Sequence, residues 1–355
     1  MTGAIGQIGQ RGFWQTVLAL AIGAASGWLA FHAHAPLPWM IGPLVGVTIA
    51  ALAGVPLHGP SLIRPVVIPV LGVLLGSSLT PAIFGALGRW ATTIVLLLPF
   101  LFAASAASYL IYRRIGRYDR VTAYFCAMPG GLNDMVVMGA EAGGVERKIA
   151  LAHAARIFVV VVFVVLFFGL VLGVSSGGMA RNWVALSALS GTDWLVLTSC
   201  AVIGVPVAQK LHLPAAPIFG PMLLSGAAHV TQLVQVSPPS LLVIVAQVVI
   251  GTVLGCRFIG AALRDVGWDL ALGLLSGLSM LAVAVLFAGM VAWLTGVQIT
   301  QAFLAFSPGG LAEMSLLALA MGQDVAYVSV LHVVRITLVI GGAGWVFRGI
   351  SGNRR

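Results

Sequence analysis

Long runs of apolar residues, separated by short polar joints, make up most of the chain. Examples cover residues 94–111, 157–174 and 241–254. A helix needs about 20 predominantly apolar residues to cross the hydrocarbon core of a bilayer. The pattern therefore predicts an all-α polytopic membrane protein with little mass outside the bilayer.

The same pattern predicts about ten transmembrane helices, five in each half of the chain. The spans of the first half cover residues 13–31, 37–54, 64–80, 91–111 and 149–174. The spans of the second half cover residues 192–209, 215–231, 240–256, 270–294 and 325–347. The first span is expected to stay in the protein, because it is long for a signal peptide and residues 194–207 match it.

The composition agrees with this class, since 60% of the 355 residues are hydrophobic and 8% are charged. The formal net charge of +9 could point to nucleic acid, but excess Lys and Arg also sets the orientation of membrane proteins. We therefore expect the lipid bilayer, not nucleic acid, to be the partner of these charges. Three scattered cysteines, Cys126, Cys200 and Cys256, form neither a disulfide framework nor a metal set.

One signature occurs twice, 179 residues apart. The first copy is Pro129-Gly130-Gly131-Leu132-Asn133-Asp134-Met135, followed by His153 and Arg156. The second copy is Pro308-Gly309-Gly310-Leu311-Ala312-Glu313-Met314, followed by His332 and Arg335. In both copies the acid lies 22 residues before the arginine. The chain is therefore predicted to be an internal duplication, with membrane repeat 1 at residues 1–180 and membrane repeat 2 at residues 181–355.

The Pro-Gly-Gly motif predicts a helix break followed by a new helix start, within residues 121–144 and 301–322. Proline cannot continue a helix from upstream, and glycine allows close approach of the backbone. The free N–H groups of a helix start bind anions, and broken helices at membrane depth are a recurring device of transporters. The alternative is a simple turn between two spans.

Loop charge indicates whether these segments cross the membrane. If they are re-entrant, the two repeats are inverted, and with the N-terminus inside, 14 Lys and Arg residues lie inside and two lie outside. The inside set is Arg11, Arg64, Arg113, Arg114, Arg117, Arg120, Arg147, Lys148, Lys210, Arg257, Arg264, Arg348, Arg354 and Arg355, and the outside set is Arg89 and Arg181. This bias favours inverted five-span repeats. Segments that cross fully would instead make the repeats parallel.

The histidine and arginine of each copy are three residues apart and share one helix face. A charged side chain near the bilayer centre costs about 2.5–3.5 kcal/mol, so Arg156 and Arg335 should face the protein interior and pair. Asp134 and Glu313 are the available acids. One hypothesis is two structural ion pairs with no further role. The other adds a histidine that titrates near neutral pH, which suits proton coupling.

Metal and nucleotide chemistry find little support in the residues. His32 and His34 could bind a metal, but with no Cys, Asp or Glu nearby they are better explained as loop histidines. The chain has no Walker loop, Rossmann fingerprint, HExxH or nucleophile elbow. We expect no catalytic residue, no metal ligand and no cofactor, although enzyme activity stays open.

The residues also resemble a known family, the AbrB-type membrane proteins of bacteria. The resemblance covers nearly the whole chain and is carried by Leu37-Pro38-Trp39-Met40-Ile41-Gly42-Pro43, Met128-Pro129-Gly130-Gly131 and Phe306-Ser307-Pro308-Gly309-Gly310-Leu311-Ala312-Glu313. It implies an internally duplicated, multi-pass protein of the bacterial inner membrane, for which we expect both termini in the cytoplasm. Members carry two labels, ammonia monooxygenase and AbrB family regulator, and neither label is supported by these residues.

Three functions follow as hypotheses. The leading one is a secondary transporter or permease for a small anionic or zwitterionic solute, with coupling to a proton or cation and homo-oligomer formation left open. The alternatives are a membrane sensor that affects gene expression indirectly and a membrane oxygenase. The predicted solute and ion site comprises Pro129, Gly130, Gly131, Asn133, Asp134, His153, Arg156, Pro308, Gly309, Gly310, Glu313, His332 and Arg335.

Overall fold

A computed structural model describes residues 10–81, 83–170, 183–261 and 263–351. Across these residues the structure is helical and contains no strand. The helices of the first half are α1 (Gln10–His32), α2 (Pro38–Leu52), α3 (Arg64–Ser77), α4 (Ile83–Leu110), α5 (Arg120–Ala127), α6 (Leu132–Glu141) and α7 (Glu146–Leu170). A π-helical turn, Ile111–Ile115, extends α4. The last four residues of the predicted span 149–174 lie outside the described residues.

The helices of the second half follow the same order. They are α8 (Gly191–Lys210), α9 (Ala216–Val230), α10 (Ser240–Gly255), α11 (Leu263–Thr295), α12 (Ile299–Phe306), α13 (Leu311–Ala320) and α14 (Val325–Ser351). A 3-10 turn, Leu186–Ala188, precedes α8, and a second one, Cys256–Phe258, follows α10. Each predicted span therefore coincides with a helix, and each motif segment is a pair of short helices.

Seven of the described helices contain a stretch long and apolar enough to cross a membrane. These stretches are Gly12–His32, Trp90–Ile115, Glu146–Gly169, Gly191–Lys210, Ser240–Phe258, Gly267–Thr295 and Val325–Gly344. The multi-pass membrane class is thereby supported. Helices α2, α3 and α9 are apolar but only 14 or 15 residues long, which is short for a span at 1.5 Å per residue.

The chain forms two compact units, and each unit takes helices from both halves. Unit 1 comprises Met1–Leu79 and Val164–Val266, and unit 2 comprises Thr80–Phe163 and Gly267–Arg355. Unit 1 therefore holds α1, α2 and α3 with α8, α9 and α10. Both Pro-Gly-Gly motifs and both His–Arg pairs lie in unit 2. Each compact unit therefore takes residues from both predicted repeats, 1–180 and 181–355.

Unit 1 contains two matching helix packings, α3 on α9 and α10 on α2. At the first crossing, a Cβ added to Gly72 would collide with the carbonyl oxygen of Ile218 and lie 3.0 Å from Cβ of Pro221. At the second crossing, a Cβ added to Gly251 would collide with the carbonyl oxygen of Met40. Small residues let helix backbones approach closely, which is how helices associate in lipid.

Left-handed backbone also recurs at matching places. Five pairs of residues with positive φ are separated by 178 or 179 positions, namely His34 and His212, Leu37 and Ala215, Gly54 and Gln232, Arg117 and Gly296, and Gly143 and Gly322. Three of these pairs differ in residue type, although glycine adopts this conformation far more readily than other residues. The recurring feature is therefore the path of the backbone and not one residue type.

Candidate functional site

Each motif forms a four-residue break between two short helices of unit 2. Helix α5 ends at Ala127 and α6 begins at Leu132, while α12 ends at Phe306 and α13 begins at Leu311. The residues that open the two breaks have ψ angles of 128° and 130°. This extended backbone is what a residue before proline adopts. The predicted helix break is present in both copies.

The two arginines hold these breaks through backbone carbonyls. Arg335 donates from Nη1 to the carbonyl of Ser307 at 2.6 Å and from Nη2 to that of Gly309 at 2.7 Å. Arg156 donates in the same way to Met128 at 2.8 Å and to the carbonyl two residues further on at 3.2 Å. Carbonyls at a helix end lack partners within the helix, and a cation satisfies them favourably. Each guanidinium therefore binds the carbonyl of the first residue after the helix and a second carbonyl further along the break.

The two histidines bind one turn further back on the same short helices. His153 Nε2 lies 2.9 Å from the carbonyl oxygen of Phe125, and His332 Nε2 lies 3.0 Å from that of Leu304. A carbonyl oxygen only accepts, so Nε2 carries the proton and donates. Nδ1 of a neutral histidine is then an acceptor. The His–Arg spacing along α7 and α14 thus matches two successive turns of α5 and α12.

Four buried polar atoms around the breaks have no hydrogen-bond partner among the described residues. They are Nε of Arg156, Nε of Arg335, Nδ1 of His153 and Nδ1 of His332. Both histidines are fully buried, and both arginines are 3% exposed. A buried polar group without a partner is costly and calls for an explanation such as a water, an ion or a ligand. The same atoms recur in both copies.

Both guanidinium groups are buried in unit 2, and the positive charge of Arg156 acts on Arg335. Each arginine directs its terminal nitrogens to backbone carbonyls, which carry no net charge. Two like charges in a poorly hydrated environment raise the local positive potential. An anion that accepts from both Nε–H groups would lower that potential.

The two acids occupy the third position of the helices that follow the breaks. Asp134 turns back so that its Oδ2 atom lies against Gly131, and Oε2 of Glu313 lies against Gly310 in the same way. A carboxylate at this position interacts favourably with the N-terminus of a helix. The expectation that these acids pair with the arginines did not include the hydrogen bonds that the arginines donate to backbone carbonyls of the breaks.

The copies differ most in exposure. Asn133 and Asp134 are exposed, whereas their counterparts Ala312 and Glu313 are each 6% exposed. Helix α13 is buried over most of its length, but α6 has few buried residues, all of them on one face. The side chains at the start of the helix after the first break are therefore exposed, whereas those after the second break are buried.

The residues that sequence reasoning missed are the carbonyl partners at Phe125, Met128, Leu304 and Ser307. The spacing held a usable signal, because each histidine and arginine lies 28 residues after its acceptor.

The histidines of the oxygenase hypothesis belong to unit 1. His32 is exposed, and its Nδ1 lies 2.9 Å from the carbonyl oxygen of Trp28. Within the described residues, no three His, Cys, Asp or Glu side chains come together as a metal site would require. The part of the chain that the structure describes therefore gives the oxygenase hypothesis no metal site.

Known proteins resemble this chain over most of its length. Residues 39–351 match the family described as transition state regulatory protein AbrB. A protein of Escherichia coli (strain K12), provisionally named regulator AbrB, is 26% identical over 331 residues, which cover 92% of this chain and 93% of its own. The uncharacterized protein YhjN of Bacillus subtilis (strain 168) is 26% identical over 354 residues, covering 90% and 89% of the two chains. The matched family range contains both breaks and both His–Arg pairs.

Proposed function

The chain belongs to the AbrB family of helical membrane proteins, and we propose that it is a secondary transporter or permease of the bacterial inner membrane. Its solute is small and anionic or zwitterionic. The observation that carries the proposal is the pair of buried arginines, Arg156 and Arg335, because Nε of each lacks a partner among the described residues. Two such charges are costly in a membrane protein unless something binds them.

The solute binds where the two breaks supply donors. In this proposal the Nε–H group of each arginine donates a charge-assisted hydrogen bond to the anionic group of the solute, and such bonds are roughly twice as strong as neutral ones. The helices that follow Gly131 and Gly310 begin on glycines, which have no side chain to cap the first N–H groups. They add donors of the kind that bind anions. The carboxylates of Asp134 and Glu313 moderate this positive site and offer oxygen ligands for a coupling cation.

The proposed architecture is ten spans in two inverted repeats, each with a re-entrant broken helix. Its support is the recurrence of the carbonyl bonds, of the helix crossings in unit 1 and of the left-handed residues at separations of 178 or 179. Inverted repeats let one site face either side of the membrane in turn. The short helices α2, α3 and α9 then cross the membrane where the bilayer is thinned locally or where neighbouring helices take the place of lipid.

A regulatory role is the second candidate, because the Escherichia coli relative carries a regulator's name. The chain offers exposed Arg114, Arg117 and Arg120 next to the π-helical turn, where a partner protein could dock. This candidate predicts no solute flux. It also leaves the Nε atoms of the two buried arginines without a use.

Transport is tested with the purified chain in liposomes on a solid-supported membrane. Currents are recorded against a panel of small carboxylates, inorganic anions, amino acids and ammonium, with isotope uptake for electroneutral solutes. We expect a saturable signal for one anionic or zwitterionic solute in the wild type. The signal should be lost in Arg335→Lys, which keeps a charge but not the two-carbonyl grip, and kept in Arg114→Lys. Silence of the wild type across currents and uptake would favour the regulatory candidate.

A further inference from the structure

One side of unit 2 carries polar side chains beyond the proposed site. Tyr118 Oη donates to Oδ1 of Asp269 at 2.5 Å. Nζ of Lys148 lies 4.3 Å from the centre of the Tyr118 ring, and Arg113 donates to the Tyr118 carbonyl. Three charged residues therefore hold one buried tyrosine. Asp269, Lys148 and Arg113 are themselves half-buried, so this cluster lies toward the surface of the unit.

The polar side chains continue inward from Tyr118 to the first arginine. Tyr112 stacks on Tyr118 with ring centres 5.5 Å apart. Tyr112 also interacts with Ser276 and lies within the field of Arg156. Cys126 is buried within the fields of both Asp269 and Arg156. We name this set the polar row, and its members are Tyr118, Asp269, Tyr112, Ser276 and Cys126.

The equivalent positions of the other copy are apolar. Adding or subtracting 179 replaces Tyr112, Tyr118, Cys126, Ser276 and Asp269 with Val291, Val297, Ala305, Leu97 and Trp90. Trp90 packs edge-on against Tyr327, the counterpart of Lys148, with ring centres 5.8 Å apart. A further aromatic cluster beside the second break comprises Phe100, Phe287 and Phe306. The polar row of one copy thus corresponds to apolar side chains in the other copy.

We propose that the polar row is the route by which the anionic solute reaches Arg156, and that the Tyr118–Asp269 hydrogen bond closes its outer end. This inference rests on the proposed function, since it assigns an entrance to that site. A hydrated anion passes hydroxyl and carboxyl groups that can hydrogen-bond to it or its water at a lower cost than the apolar side chains at the matching positions. Lys148 and Arg113 at the outer end attract the anion.

The Tyr118–Asp269 hydrogen bond that closes the route joins a phenol to a carboxylate. Burial, together with the hydrogen bond to Asp269, holds the pKa of Tyr118 far above its ordinary value. The phenol therefore keeps its proton and remains the donor at every physiological pH. Opening requires an anion or water to replace the carboxylate as its acceptor, and this coupling lets an arriving solute open the route.

The native thiol of Cys126 reports on this opening. The full-length chain in detergent carries Cys200→Ser and Cys256→Ser, so that Cys126 is the one thiol left. Its reaction with a small anionic methanethiosulfonate is followed by intact mass. We expect slow labelling in this background and labelling about tenfold faster in Tyr118→Phe, because loss of a hydrogen bond to a charged group shifts opening by about that factor.

The other copy supplies the matched control. Ala305→Cys, combined with Cys126→Ala in the same background, places a single thiol at the equivalent buried position. Val297→Ala is the companion of Tyr118→Phe, and the thiol at position 305 should react slowly with or without it. Asp269→Asn, which keeps the shape and weakens the bond, replaces Tyr118→Phe if that variant loses its gel-filtration peak.

Two outcomes would overturn the route. One is an equal labelling rate of Cys126 with and without Tyr118→Phe, and the other is an equal acceleration of labelling at position 305 by Val297→Ala. Labelling is measured without solute, so the outcome separates from that of the transport experiment. Fast labelling of Cys126 with no flux would keep the route and reject transport. Flux without accelerated labelling would reject the route alone.

Discussion

At the residue scale, the arginines act first on the backbone. Arg335 binds its two carbonyls at 2.6 and 2.7 Å, and Arg156 binds its pair at 2.8 and 3.2 Å. Hydrogen bonds from charged donors contribute roughly 1.5–3 kcal/mol each. Shorter bonds and a more buried following helix make the second break the more tightly held of the two.

Replacing the arginines by methionine should therefore destabilise the copies unequally. Methionine retains the apolar stem and loses the charge and the donors. We expect Arg335→Met to lower the free energy of unfolding by about 3 kcal/mol and Arg156→Met by less, with the exposed Arg114→Met within about 0.5 kcal/mol of wild type. Thermal melts in detergent measure the order. A larger loss in Arg156→Met than in Arg335→Met would contradict this comparison of the breaks.

At the element scale, local signals in the sequence predict helices and breaks but not their partners. Apolar runs located the long helices, and Pro129 and Pro308 located the breaks, because both signals act over a few residues. The carbonyl bonds of Arg156 and Arg335 join residues 28 positions apart and depend on how α7 and α14 pack. The mixed composition of units 1 and 2 likewise arises from packing between distant helices, which periodicity does not encode.

The crossings in unit 1 predict a selective effect of added methyl groups. Gly72→Ala and Gly251→Ala would each force a Cβ into the backbone of the facing helix, and overpacking of this kind typically costs about 1–3 kcal/mol. Gly289→Ala in α11 has open space at its Cβ and should be neutral or slightly stabilising. Melting temperatures of the three variants measure the effect. Equal stability in all three would show that the crossings tolerate separation.

At the scale of the whole molecule, the inverted arrangement predicts where equivalent loops lie. The residues between the π-helical turn and α5 correspond to those between α11 and α12, and Arg117 and Gly296 share the left-handed conformation there. Inversion places these loops on opposite faces of the membrane. Parallel repeats place them on the same face.

Cysteines introduced by Arg117→Cys and Gln298→Cys, each alone in a background without the native cysteines, distinguish the two arrangements. Both positions are exposed. In vesicles of one orientation, a membrane-impermeant maleimide should label one position directly and the other only after permeabilisation. Direct labelling of both positions would establish parallel repeats and reject the inverted architecture.

The proposal finally depends on whether Arg156 and Arg335 share one ligand. Once the solute panel yields a binder, isothermal titration of the purified chain gives the stoichiometry, with Arg156→Lys and Arg335→Lys beside the wild type. We predict one anion per chain and loss of that binding in either variant, since each arginine contributes one Nε–H donor to the same group. Two anions per chain, each lost only with its own arginine, or binding unchanged in both variants, would contradict a shared site.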